Sequence, residues 1–133
     1  MSTNILEHLK WRYATKKFDD SKKLSEEKLN ILKEAFNLTA TSYGLQPLKL
    51  IVVGNDDLKK KLVPITMNQE QVANASHVLV LCVETKLDGN FIKDSFKRIE
   101  NIRNTPRSIL DPFESFLVDE FSKKPKSTID TWM

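Results

Sequence analysis

Two runs constrain this 133-residue chain most, because they are the only stretches that read as β-strands. Leu48–Val53 follows Gln46-Pro47 and ends at Gly54. The proline keeps Gln46 out of the α region, so helix cannot continue through it and an extended segment can begin. The second run, His77–Val83, is apolar without a break from Val78 onward, which predicts a strand buried on both faces. Its Cys82 then reads as a buried strand residue, and as neither a disulfide partner nor a metal ligand. Two strands make a marginal sheet unless helices or a partner cover them. The rest of the chain must therefore supply that cover.

Helical spacing recurs through the remainder. Asn4–Tyr13 carries Ile5, Leu6 and Leu9 as a stripe expected to be buried, with Trp11 as a packing residue. Ser25 is a natural N-cap before Glu26 and Glu27, and Leu29, Leu32 and Phe36 form one face, widened by Ile31 and Ala35. Leu38–Gly44 reads as loop. Asn55 caps a helix carrying Leu58 and Leu62, with acids at its start and lysines later, as the helix dipole favours. Asp88–Ile102 places Phe91, Ile92, Phe96 and Ile99 near helical spacing, and Ile109–Phe121 does the same with Phe113, Phe116, Leu117 and Phe121. Ile129–Met133, with Trp132 as a packing residue, reads as the first turn of one more helix.

The length suits one domain, and an apolar fraction of 40% suits a globular core. No apolar run is long enough to cross a membrane, and Met1–Asn4 leads into helix without a signal-peptide pattern. A cytoplasmic protein is expected. The net charge of +3 comes from 21 Lys+Arg against 18 Asp+Glu, interspersed, with no concentrated basic face to argue for nucleic acid. No Ser/His/Asp or paired-carboxylate constellation points to a catalytic residue. His8 and His77 read as structural or surface histidines, since neither has a carboxylate partner nearby in sequence.

The segment Trp11-Arg12-Tyr13-Ala14-Thr15-Lys16-Lys17-Phe18-Asp19 sets two cations at and beyond the first helix end. A guanidinium can grip a phosphate bidentately, and an ammonium suits a compact anionic atom. A cofactor with a phosphate and a ring that becomes anionic on reduction would use such a pair. The competing reading is that cations at a helix C-terminus are favoured by the dipole with or without a ligand.

This segment resembles the N-terminal signature of the FMN-dependent nitroreductase family, Arg-(His/Tyr/Ser)-(Ser/Ala)-Thr-Lys-x-Phe-Asp. Leu24–Leu29 is similar to the start of that family's second helix. Ala40-Thr41-Ser42-Tyr43-Gly44-Leu45-Gln46-Pro47 is similar to its Pro-Ser-Ser-x-x-x-Gln-Pro segment. Asn68-Gln69-Glu70-Gln71-Val72 with Ala75-Ser76-His77 resembles the approach to its second main strand. The resemblance covers roughly residues 4–85 and is poor beyond.

It implies an α+β, nitroreductase-like fold, incomplete at the C-terminal side, with residues 1–133 as a partial domain of that type. It implies an FMN-dependent oxidoreductase that passes hydride from NADH or NADPH via the flavin to a nitroaromatic, quinone or similar acceptor. The alternative is a truncated, non-catalytic remnant with weak or no flavin binding. The cofactor would be FMN, with no metal, and the assembly a homodimer with the flavin between subunits. By resemblance, Arg12 would meet the phosphate, the Tyr13-Ala14 backbone would line the ribityl chain, Thr15 would be among the cofactor-binding residues, and Lys16 would sit at the pyrimidine edge of the ring. Asn68 would hydrogen-bond that edge, with Gln71 beside it where some members carry lysine. Thr41 and Ser42 would reach a flavin across the dimer interface. On residue type alone, Asn68 serves equally as the cap of a short helix toward Ala73, and Thr41, Ser42 and Gly44 as ordinary loop residues. Arg103 and Arg107 are further candidates for a dinucleotide phosphate.

Overall fold

The computed structural model describes residues 4–125. Six helices and two strands follow in the order α1 (Ile5–Trp11), α2 (Glu26–Asn37), β1 (Leu48–Val53), α3 (Asp56–Leu62), α4 (Gln71–Asn74), β2 (Val78–Val83), α5 (Gly89–Arg103) and α6 (Arg107–Lys123). Short 3-10 turns occupy Ser42–Gly44 and Val63–Ile65. The helix expected over Ile129–Met133, with Trp132, lies outside the described residues. The described residues form two compact units, each discontinuous in sequence: residues 4–30 with 52–80, and 31–51 with 81–125.

β1 and β2 make a two-stranded sheet. The Glu84 amide donates to the Pro47 carbonyl at 2.8 Å. The residue after β2 thus pairs with the residue before β1, which makes the strands antiparallel. The expectation that β2 is buried on both faces is wrong. Val78, Val80 and Cys82 are half-buried, while Leu79, Leu81 and Val83 are exposed, Leu81 at 70%. An antiparallel pair with one open face alternates in this way, and an apolar run alone does not reveal which face is covered.

In the first unit, the Asn4 carboxamide caps α1 by accepting from the Leu6 amide at 3.1 Å. The helix ends at Trp11, two residues short of the expected Tyr13. Its apolar stripe is not buried: Ile5, Leu6 and Leu9 are 69%, 63% and 56% exposed, and Trp11, expected to pack, is 78% exposed. No described element of this chain covers that stripe. Asn55 caps α3 as expected, accepting from the Leu58 amide at 2.9 Å. The residue that α3 buries is Lys59, while Leu58 stays exposed. Leu29 of α2 is also buried, and the Ser25 hydroxyl and carbonyl start that helix. Ile31 and Leu32, expected on its packed face, are exposed and Phe36 is half-buried.

The second unit is built on the α5–α6 hairpin. Asp88 caps α5, its carboxylate accepting from the Asn90 and Phe91 amides. Asn104 ends the helix in the left-handed conformation at φ 52°, ψ 35°, a role asparagine tolerates better than most residues. Ile92 and Phe96, four apart on α5, pack in one cluster with Leu45, Leu87, Leu110, Leu117 and Phe121. Gly89 permits close helix approach, since a Cβ there would lie 3.3 Å from a Val118 methyl. α6 runs through Pro112, which has no N–H to give the preceding turn. Phe113 and Phe116 remain about half exposed, although the helical spacing put them on the packed face.

Candidate functional site

Within the first unit, the chain leaves α1 in extended conformation at Arg12, φ −62° and ψ 144°, whose amide still donates to the His8 carbonyl at 3.0 Å. Residues 12–19 then form neither helix nor strand. Thr15 is half-buried, while Arg12, Tyr13, Ala14 and Lys16 are exposed. Asp19, the first acid after Lys16 in sequence, is already engaged. Its carboxylate accepts from the Ser21 hydroxyl at 2.5 Å and pairs with Lys22 at 2.9 Å. These contacts, Ser21 first and Lys22 second, hold its carboxyl below the usual carboxylate range. Arg12 and Lys16 have no ion pair among the described residues. Both cations are therefore open to an external anion.

Asn68 belongs to the same unit but does not cap a helix. α4 begins at Gln71 with Glu70 before it. Asn68 instead sits in the left-handed region at φ 54°, directly after Met67 at φ 57°. Two consecutive non-glycine residues there are uncommon, and the Asn68 amide is held by the Val63 carbonyl at 3.1 Å. The turn beneath is closed by the Thr66 hydroxyl, which donates to the carbonyls of Leu62 and Val63. This geometry presents the Asn68 carboxamide to solvent, where it can donate and accept. Gln71 is half-buried and donates to the Gln69 side chain at 3.2 Å.

Thr41 and Ser42 lie in the second unit. The Thr41 hydroxyl accepts from the Gln46 amide at 2.9 Å, and the Gln46 side chain donates to the Asn37 carbonyl at 3.0 Å. Tyr43, Gly44 and Gln46 all have positive φ, at 57°, 68° and 47°. The loop expected over residues 38–44 is thus a defined turn. It borders a mainly apolar cavity of about 180 Å³, also lined by Leu45, Leu87 and Phe121. Tyr43 meets Phe121 edge to face, with centroids 6.0 Å apart.

Arg107 is not an open phosphate ligand. Its guanidinium bridges Asp111 at 2.5 Å and Glu114 at 2.7 Å. Lys59 was missed from sequence, because a lysine between two leucines on a charged helix reads as a solvated residue. Among the described residues no group of three or more His, Cys, Asp or Glu could hold a metal ion, and no helix is long and apolar enough to cross a membrane.

The sequence model of the nitroreductase family matches residues 9–118. YfkO of Bacillus subtilis, which carries the name of a candidate NAD(P)H nitroreductase, is 33% identical over 127 residues, spanning 92% of this chain and 56% of its own length. The major NAD(P)H-flavin oxidoreductase of Aliivibrio fischeri is 38% identical over 85 residues, 60% of this chain and 39% of that protein. Among solved structures, a nitroreductase candidate from Exiguobacterium sibiricum in complex with FMN superposes with a TM-score of 0.79 at 21% identity, over 98% of this chain and 62% of that one. The chain thus spans a little over half the length of relatives that it matches nearly end to end. With a family match that takes in the Arg12–Lys16 segment and most of the α5–α6 hairpin, and a fold shared with solved relatives, this chain belongs to the nitroreductase family.

Proposed function

We propose that this protein is an FMN-dependent oxidoreductase that takes hydride from NADH or NADPH and delivers it to a nitroaromatic, quinone or similar small acceptor. The observation that carries this is the pair of cations, Arg12 and Lys16, without an ion pair among the described residues, on an exposed segment whose own acid, Asp19, is occupied by Lys22 and Ser21. That donor set fits a cofactor with a phosphate at one end and a ring that gains negative charge at the other. When bound, FMN would supply the two-electron chemistry, and the protein would supply binding, orientation and electrostatics. Arg12 would neutralise the phosphate. Tyr13, Ala14 and Thr15 offer backbone groups along the ribityl chain. Lys16 would stabilise charge on the reduced ring, and Asn68 and Gln71 would read its polar edge.

The family relatives' NAD(P)H and flavin names, and the FMN complex of a related fold, support the cofactor assignment. The exposed stripe of α1 supports a homodimer, in which Thr41 and Ser42 serve the partner's flavin, and a cytoplasmic location belongs to the same proposal. Sedimentation is expected to give a dimer, and a stable monomer at high concentration would remove that part.

Titration with FMN and riboflavin tests the core of the reading. The wild-type protein should bind FMN and turn yellow. Arg12→Ala should weaken FMN by roughly ten- to a hundred-fold, the worth of a charge-assisted hydrogen bond, and riboflavin hardly at all. Equal weakening of both flavins would remove the phosphate assignment. A second reading, a non-catalytic protein with weak or no flavin binding, is favoured by Arg12 being the one cation assigned to the phosphate. An absence of binding by the wild type would select it.

A further inference from the structure

The most deeply buried charge among the described residues lies outside every position assigned to the cofactor. Lys59 is fully buried on α3. An ammonium carries three donors and almost never leaves water unless all are used. Here three acceptors surround it: the Asp56 carboxylate at 2.8 Å, the Ala75 carbonyl at 2.5 Å and the Ser76 carbonyl at 3.4 Å. The contacts continue outward. Lys23 shares the same Asp56 oxygen at 3.0 Å. The Ser76 hydroxyl accepts from the Leu24 amide at 2.7 Å and lies 2.8 Å from His77 Nδ1.

Three stretches of the first unit are therefore linked around one ammonium, α3 and Ala75-Ser76 directly and Lys23-Leu24 through Asp56 and the Ser76 hydroxyl. Lys23 and Leu24 close the segment that begins at Arg12. α3 supplies Lys59 and Asp56 and leads into the left-handed turn at Asn68. Ala75 and Ser76 end the short helix that begins at Gln71. Each stretch adjoins candidate cofactor residues, and none of the hub groups is itself a candidate. A methionine would fill the volume of Lys59 without the cost of burying a charge. What it would not do is tie two backbone carbonyls and a carboxylate to one point.

We propose that Lys59 is a positioning residue, which sets Arg12–Lys16 against Asn68 and Gln71 through this hub. The inference rests on the flavin reading above. Because the hub aligns the ring-binding and phosphate-binding segments together, its loss should weaken riboflavin as well as FMN, unlike loss of Arg12.

The test uses the whole chain with Lys59→Met and, separately, Asp56→Asn, whose exposed carboxylate can be changed without opening a cavity. Both flavins are titrated, and the visible circular dichroism of bound FMN is recorded. Lys59→Met should weaken both flavins by about ten-fold or more, FMN at least as much as riboflavin because Arg12 is displaced with the ring-binding residues, and change the visible band of the flavin that still binds. Asp56→Asn should do the same to a smaller degree. A folded Lys59→Met protein with both affinities within about two-fold of wild type and an unchanged band would overturn the proposal, as would a loss confined to FMN. If Lys59→Met does not fold, Asp56→Asn decides by the same two readouts. A wild-type chain that binds neither flavin would instead remove the functional reading, and this inference with it.

Discussion

His77 stands directly over Gly54. A Cβ at position 54 would lie 3.0 Å from His77 Cδ2 and 3.1 Å from Nε2. The ring has little freedom to retreat, because its Nδ1 is 2.8 Å from the Ser76 hydroxyl, which in turn holds the Leu24 amide. The glycine after β1 and the histidine before β2 thus form one close contact in the first unit. Gly54→Ala should destabilise by about 1–3 kcal/mol, the usual cost of overpacking. Urea unfolding with an unchanged midpoint would show that the ring yields freely.

The α5–α6 core makes a sharper contrast. Leu117 is fully buried, and Ile102 on the same hairpin is 78% exposed. Leu117→Ala should cost about 2–5 kcal/mol, through lost burial and the cavity left behind. Ile102→Ala should stay within about 0.5 kcal/mol. Similar losses at both positions would mean that the exposed end of α5 is covered in solution.

Acid should report on Asp56. Its carboxyl is held down to about 2, first by the Lys59 hydrogen bond and then by Lys23. A carboxyl depressed in the folded state stabilises it above the unfolded value of 3.8 and loses that contribution as pH falls toward about 2. Wild-type stability should therefore decline between about pH 4 and pH 2, and Asp56→Asn should show a shallower decline over that window. Parallel pH profiles for the two proteins would rule out this coupling.

Lys16 is expected to act on the ring and not on the phosphate. In protein that binds FMN, Lys16→Ala should lower the flavin's reduction potential, because it removes a cation near the charge formed on reduction. Its effect on FMN and riboflavin affinity should be the same. Measuring the midpoint potential by equilibration with a reference dye checks this, and an unchanged potential would move Lys16 away from the ring.

Local chemistry made much of the fold legible. Asn55 and Ser25 announce α3 and α2, because a cap needs only its own side chain and the next few amides. Gln46-Pro47 and Gly54 bracket β1 for the same local reason. The α5 pattern Ile92 and Phe96 identified its buried face correctly, since α6 lies three residues downstream to receive it. The position of Arg12 at the end of the first helix was legible too, because helix termination is a local property.

Burial was not legible where the covering surface is remote in sequence or absent from this chain. Ile5, Leu6 and Leu9 have the spacing of a packed stripe, yet they are exposed, because periodicity specifies a face and not what lies against it. The apolar run of β2 likewise could not tell a strand covered on one side from one covered on both. The burial of Lys59 is not legible beside two further lysines, because its partners, the carbonyls of Ala75 and Ser76, come from a distant stretch of chain. Sequence by itself determined the family, the helices and their caps, and the strand positions, all properties of neighbouring residues. Only the tertiary structure decided that a lysine is buried and leucines are exposed, because burial is a relation between segments that meet only in the folded chain.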